Sequence, residues 1–225
     1  MMIRKPEMVM IDLDGTLVDS VPDLAYCADA MLSELGMPAR GEAKVRQWVG
    51  NGVERLVRRA LTGTLDGEPE EADFQRAYPL FLDLYAQNTS QRSVLYPGIR
   101  EGLDYLKRQG YRLGCVTNKA AQFTLPLLKD LGIHDSFEIV VAGDSLPKKK
   151  PDPLPLLHAA EQLGVAPADA MMIGDSQSDV KAARAAGFRI VCMSYGYNHG
   201  EDIRNSQPDA VIDSLLELRG LLETP

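Results

Sequence analysis

The sequence has little of what a disulfide-stapled, zinc-bound or membrane-embedded protein needs. Its 225 residues include three cysteines, Cys27, Cys115 and Cys192, far apart and without a Cys-x-x-Cys pair. That spacing suggests neither a disulfide framework nor a zinc site, so they read as small core residues in a reducing cytoplasm. The three histidines, His134, His158 and His199, have no ligand spacing either, and read as surface or supporting residues. No long apolar run is present near the start: Arg4 and Lys5 lead into one that Asp12 breaks well before signal-peptide or membrane-spanning length. Positive charge is also scarce, with 24 Lys and Arg against 32 Asp and Glu and a net charge of −8. This balance disfavours nucleic acid and anionic membrane as partners, and an anionic substrate would need a local positive pocket. Internal repeats and low-complexity tracts are missing too. What is present is ordinary globular composition, 45% hydrophobic and 25% charged, enough for one large domain or one carrying an insertion. Whether the chain is a monomer or a dimer is left open.

Against this background one stretch stands out, Met8-Val9-Met10-Ile11-Asp12-Leu13-Asp14-Gly15-Thr16. Four apolar residues without alternation suit a strand covered on both faces in a parallel sheet. Asp12 and Asp14 follow at its carboxyl end, where such sheets bind ligands. Residues two apart in a strand point to one face at a spacing of roughly 6.6 Å, so the two acids could converge on one cation or phosphate. The plainer reading is that Asp14-Gly15 only makes a turn.

The next seventy residues read as helical. A helix is predicted from about Pro22 to Leu35, ended by Gly36 and Pro38. A second starts at Asn51-Gly52, with Val53, Leu56, Val57, Ala60 and Leu61 on one face. A third runs from about Glu70 to Gln87 with Phe74, Ala77, Phe81, Leu84 and Tyr85 together. From Tyr96-Pro97-Gly98 helix and strand alternate, the pattern of a parallel α/β sheet. Strands are expected at 111–116, 138–142, 170–173, 189–193 and 209–212, and helices at about 99–109, before Gly132 with a kink at Pro126, at 153–163 and at 178–186. The expected architecture is a doubly wound, Rossmann-like core of residues 1–21 and 93–225, interrupted by an all-helical insertion of residues 22–92.

Strand ends then carry related polar groups: Asp12 and Asp14, Thr117 with Asn118, and Asp175. Right-handed crossovers bring parallel strand ends to one rim, with the Lys148–Lys150 loop between two of them. Carboxylates, a hydroxyl and an ammonium together suggest a divalent cation and a phosphate. Each residue also has a structural reading: Thr117 as a helix cap, Asp179 as half of a capping box with Ser176, and Lys150 as one of three solvated lysines.

In these residues the chain resembles the haloacid dehalogenase-like hydrolases over almost its whole length. Asp12 to Thr16 matches the first family motif, Asp-x-Asp-Gly-Thr. Leu113 to Thr117 matches the second, Lys150-Pro151 the third, and Gly174-Asp175-Ser176-Gln177-Ser178-Asp179 the fourth. The resemblance implies Asp12 as nucleophile, Asp14 as general acid and base, and Mg²⁺ held by Asp12, Asp175 and the main-chain carbonyl of Asp14. It also implies Thr117, Asn118 and Lys150 on the phosphate, with Thr16 and Asp179 supporting them, and a helical cap closing over the site. Asp19 to Leu24, Trp48 to Gly52, Asp144 to Pro153 and Ser194 to Asn198 look like the bacterial phosphoglycolate phosphatases. The implied substrate is 2-phosphoglycolate, with Asn51, Gly52 and Arg55 as expected cap contacts. Another sugar or amino-sugar phosphate, a phosphomutase reaction and a non-enzymatic phospho-acceptor are the alternatives.

Overall fold

The computed structural model describes residues 3–222. The chain enters on β1 (Met8–Ile11), whose four side chains are all fully buried, as a strand apolar on both faces requires. A tight turn follows, in which Leu17 and Val18 donate their N–H groups to the Leu13 carbonyl. It leads through β2 (Val18–Asp19) into four helices: α1 (Val21–Glu34), α2 (Glu42–Trp48), α3 (Val53–Thr62) and α4 (Glu71–Ala86). β3 (Val94–Leu95) then pairs antiparallel with β2, so the two passages between helices and sheet are tied as one ribbon.

The remainder alternates: α5 (Ile99–Arg108), β4 (Arg112–Val116), α6 (Ala121–Asp130), β5 (Ile139–Val141), α7 (Leu154–Leu163), β6 (Ala170–Gly174), α8 (Gln177–Ala186), β7 (Arg189–Met193), β8 (Ala210–Ile212) and the short α9 (Leu218–Leu221). Six of the strands form one parallel sheet in the order β5-β4-β1-β6-β7-β8. Side chains of a strand alternate between faces, and here both faces are covered. Val9 and Ile11 join an apolar cluster with Leu103 of α5 and Leu127 of α6, whereas Met8 and Met10 join another with Leu156 of α7 and Ala183 of α8. The core is therefore the doubly wound α/β sheet expected from the alternation of elements.

Helices α1 to α4 gather around an apolar cluster of their own, centred on Met31, Trp48, Val57, Phe81 and Tyr85. Phe123 of α6 and Tyr197, from the α/β part of the chain, join it. Pro22 lies in the first turn of α1, where its missing N–H costs nothing, and Gly52 precedes α3 as the spacing predicted. Two features were not legible. The β2–β3 ribbon is only two residues deep and has no periodicity to detect, and α2 buries only Val45 and Trp48 among seven mostly polar residues. Among the described residues no helix is long and apolar enough to cross a membrane.

Candidate active site

Because the strands are parallel and β1 is flanked by β4 and β6, the residues after each arrive at one rim. Asp12 follows β1, Thr117 follows β4, and Asp175 follows β6. Lys150 reaches the same place from the loop between β5 and α7. Its ammonium donates to the Val116 carbonyl at 2.7 Å and to Asp179 Oδ1 at 2.7 Å, and lies 2.9 Å from Asp12 Oδ1. With these partners and an exposure of only 3%, Lys150 is not a solvated lysine. Burial opposes its charge, yet Asp12 and Asp179 outweigh that and raise its pKa.

Asp12, Asp175 and Asp179 each place a carboxylate oxygen within 4.8 Å of the others. Asp179 also closes the capping box of α8, accepting from the N–H and hydroxyl of Ser176, so its structural and local electrostatic roles coexist. Asp175 accepts only from neutral donors, the Thr16 hydroxyl at 2.7 Å and the Tyr197 N–H at 2.5 Å. Of the three carboxylates, Asp12 and Asp179 pair with the Lys150 ammonium and Asp175 with no cation among the described residues. Burial, then Asp179 and Asp12, pushes Asp175 well above the usual carboxylate range, and burial pushes Asp12 up to about 7 despite Lys150. A cluster of hard oxygen ligands with this excess of negative charge fits a divalent cation such as Mg²⁺.

Asp14 does not join that cluster. Its two oxygens accept from Lys119 Nζ at 2.9 and 3.0 Å, and Lys119 is buried beneath the ring of Tyr85 at 5.0 Å. Burial again opposes the lysine's charge, but Asp14 and Tyr85 raise its pKa on balance. Two acids two residues apart therefore have separate cationic partners, although both line one cavity. The chain bends at Leu13, between the two acids, as it leaves β1. Gly15, just after Asp14, has φ +87°, and a Cβ there would stand 2.3 Å from Asp175 Oδ2.

The cavity is bounded by Asp12, Asp14, Thr117, Asn118 and Lys119 below, and by Leu24, Val49, Gly50, Gly52, Val53 and Leu56 from the helices above. The Thr117 hydroxyl accepts from the Lys119 N–H at 3.2 Å and is no cap for α6, which is flanked by Ala120. Asn118 ties the two parts together, donating to the Gly50 carbonyl at 3.2 Å and the Lys150 carbonyl at 2.9 Å. Lys149 donates to the Asn51 carbonyl at 3.0 Å. Of the expected cap contacts, Gly52 lines the cavity, whereas Asn51 faces a neighbouring one with Ser176 and His199. Arg55 requires correction: it pairs with Glu68 and lines a separate surface cavity with Arg58 and Arg59, because the helical turn after Gly52 carries it outward. Arg59, on the same helix, is by contrast buried, 5% exposed, and donates to the Trp48 and Leu65 carbonyls.

The family model described as haloacid dehalogenase-like hydrolase matches residues 9–193, a span that contains every rim residue named above. The chain belongs to this family. This hydrolase is 69% identical to a phosphoglycolate phosphatase of Nitrosococcus oceani over 98% of both chains. It is 51% identical to one of Nitrosospira multiformis over 96% of this chain and 95% of the relative. Its fold matches the crystal structure of a predicted phosphoglycolate phosphatase from Haemophilus somnus with a TM-score of 0.90, at 36% identity over 95% and 96% of the two chains.

Two residues of the hydrolase's site were missed on the sequence. Lys119 stands two residues after Thr117, and the rule that strand ends share a rim would have included it. Tyr197 gave no such signal. Its hydroxyl bonds Asp19 Oδ1 at 2.5 Å while its N–H bonds Asp175, a link between ribbon and acid cluster that exists only in three dimensions.

Proposed function

We propose that this hydrolase is a Mg²⁺-dependent phosphomonoesterase that converts 2-phosphoglycolate to glycolate and phosphate through an aspartyl-phosphate. The observation that carries this reading is the division between Asp12, turned to Lys150 and the acid cluster, and Asp14, turned to Lys119, both on one cavity. The relatives named phosphoglycolate phosphatase, at 69% and 51% identity, support the substrate. The three cysteines, all free and buried, suit a cytoplasmic setting.

In this mechanism an Asp12 oxygen attacks phosphorus in line with the ester oxygen, and the P–O bond to glycolate breaks. Asp14 gives its proton to the departing alkoxide and then takes one from the water that attacks the phospho-aspartate. Phosphate leaves, and Asp12 is regenerated. Thr117, the N–H of Asn118 and Lys150 hold the non-bridging oxygens. Asp12, Asp175 and the Asp14 carbonyl would hold the cation, with Asp179 beside them. When bound, Mg²⁺ supplies positive charge that lets an anionic nucleophile approach an anionic ester. Residues 22–92, which carry α2 to α4 and all but the first residue of α1, serve as the cap that roofs the cavity and excludes water.

The test is phosphate release with Mg²⁺ across several dozen phosphorylated metabolites. A kcat/KM for 2-phosphoglycolate well above that for every sugar and amino-sugar phosphate is expected. Equal rates across the panel would overturn the substrate, and no release from any ester would overturn the phosphatase.

A further inference from the structure

We infer that Lys119 determines substrate specificity by binding the carboxylate of the substrate, which selects phosphate esters of α-hydroxy acids. The inference rests on the phosphatase reading and deepens it. The charged residues that line the cavity are Asp12, Asp14 and Lys119. Lys150 bonds the Val116 carbonyl and Asp179 and lies against the nucleophile Asp12, so its charge serves the phosphoryl group and not the leaving group. The roof offers Leu24, Val49, Val53 and Leu56, which are apolar, and Arg55 is turned away to Glu68. A carboxylate attached to the departing alcohol therefore has one cationic partner within the cavity, Lys119. Holding Asp14 alone would not need a lysine: a neutral donor could orient that carboxylate without the desolvation cost of a buried ammonium.

Distances set the class of acid. Lys119 Nζ lies 2.9 and 3.0 Å from the two Asp14 oxygens, so it is equally close to whichever oxygen serves the ester. That oxygen must come within about 2.8 Å of the ester oxygen, which puts Nζ less than about 6 Å from it. In the ester of an α-hydroxy acid, a carboxylate oxygen is three bonds from the ester oxygen, about 3 Å away, and can bond the ammonium from there. An ester with its carboxylate one carbon further on overshoots, and a neutral ester has nothing to bond. Seated between Asp14 and the substrate carboxylate, the ammonium also fixes the ester oxygen against the proton donor. Tyr85 of α4, packed on Phe123 at 4.8 Å, closes the apolar side of the lysine and keeps competing water out.

The experiment compares 2-phosphoglycolate with 2-hydroxyethyl phosphate, of equal length but without the carboxylate, in wild type and in Lys119→Met and Lys119→Arg. The readout is the ratio of kcat/KM for the two esters, in which any common effect of a misplaced Asp14 cancels. Wild type is expected to favour 2-phosphoglycolate by about 100-fold or more, the range for a site built around a polar group. Lys119→Met should bring the ratio to within about threefold of unity, and Lys119→Arg should restore part of it. An unchanged ratio in Lys119→Met would overturn the inference. Should that variant fail to fold, wild type alone decides: moving the carboxylate out by one carbon, in 3-phosphooxypropanoate, should cost at least about tenfold in kcat/KM, and equal rates would overturn it. If wild type cleaves sugar phosphates and none of these acids, the substrate under Proposed function is what fails, and this inference falls with it.

Discussion

Thr16 and Asp175 are 159 residues apart in the chain and 2.7 Å apart in the fold. The hydroxyl of Thr16, in the turn after β1, thus orients the carboxylate that follows β6. From the other side Asp175 takes the N–H of Tyr197, whose hydroxyl reaches Asp19 at the ribbon leading into the helices. The acid cluster is therefore held by the same residues that anchor the ribbon leading into α1.

Asp12→Asn should remove turnover, by at least about a thousandfold, because an amide cannot form the phospho-enzyme. Asp14→Asn should cost about 10²- to 10⁴-fold while leaving the nucleophile intact. Rates from single-turnover phosphate release check both. Near-normal turnover in Asp12→Asn would contradict the nucleophile.

Stability should depend on pH and cation together. Burial raises Asp12 from 3.8 to about 7 and Asp175 well above 3.8, so between those values the native state binds more protons than the unfolded chain. Stability then falls as pH rises through that window, and the penalty is complete above the raised pKa values. Lys150, whose pKa is raised, contributes stability that is lost only in the alkaline range and does not offset this. Thermal midpoints in EDTA should drop from pH 5 to pH 8, and millimolar Mg²⁺ should raise the pH 8 midpoint more than the pH 5 one. Midpoints unaffected by Mg²⁺ at pH 8 would contradict the cation site.

Lys150→Met should destabilise the protein by about 3–5 kcal/mol, since it strands Asp12 and Asp179 without their shared cation. Lys150→Arg should not rescue it, because a planar fork cannot meet three acceptors that converge on a point. Urea unfolding measures both, and a loss below about 1 kcal/mol would show the pair to be dispensable.

Gly143→Ala should impair the site from outside it. A Cβ there would stand 2.1 Å from the Asn118 carbonyl oxygen, a main-chain atom that cannot swing aside, while Gly143 N–H already bonds the Lys119 carbonyl at 2.8 Å. The Thr117–Lys119 loop must shift, with a stability cost of about 1–3 kcal/mol. A loss of at least about tenfold in kcat/KM is expected, since small displacements of oriented groups cost that much. Wild-type kinetics in Gly143→Ala would mean that the loop has slack.

Much of this was determined by the sequence alone, for a local reason. Met8 to Ile11 could only be an inner strand, the glycines at 110, 132, 164 and 187 end helices, and Asp12, Thr117 and Asp175 fall at strand ends once the alternation is seen. The parallel sheet then obliges those ends to share a rim. Tertiary structure decided what each polar side chain faces. Nothing in Thr117-Asn118-Lys119 says that Lys119 turns inward to Asp14, and nothing in the spacing of α3 separates Gly52 at the cavity from Arg55 at the surface. Those outcomes depend on which charge from another element is near enough to offset desolvation, and that pairing is made only when residues a hundred positions apart are packed together.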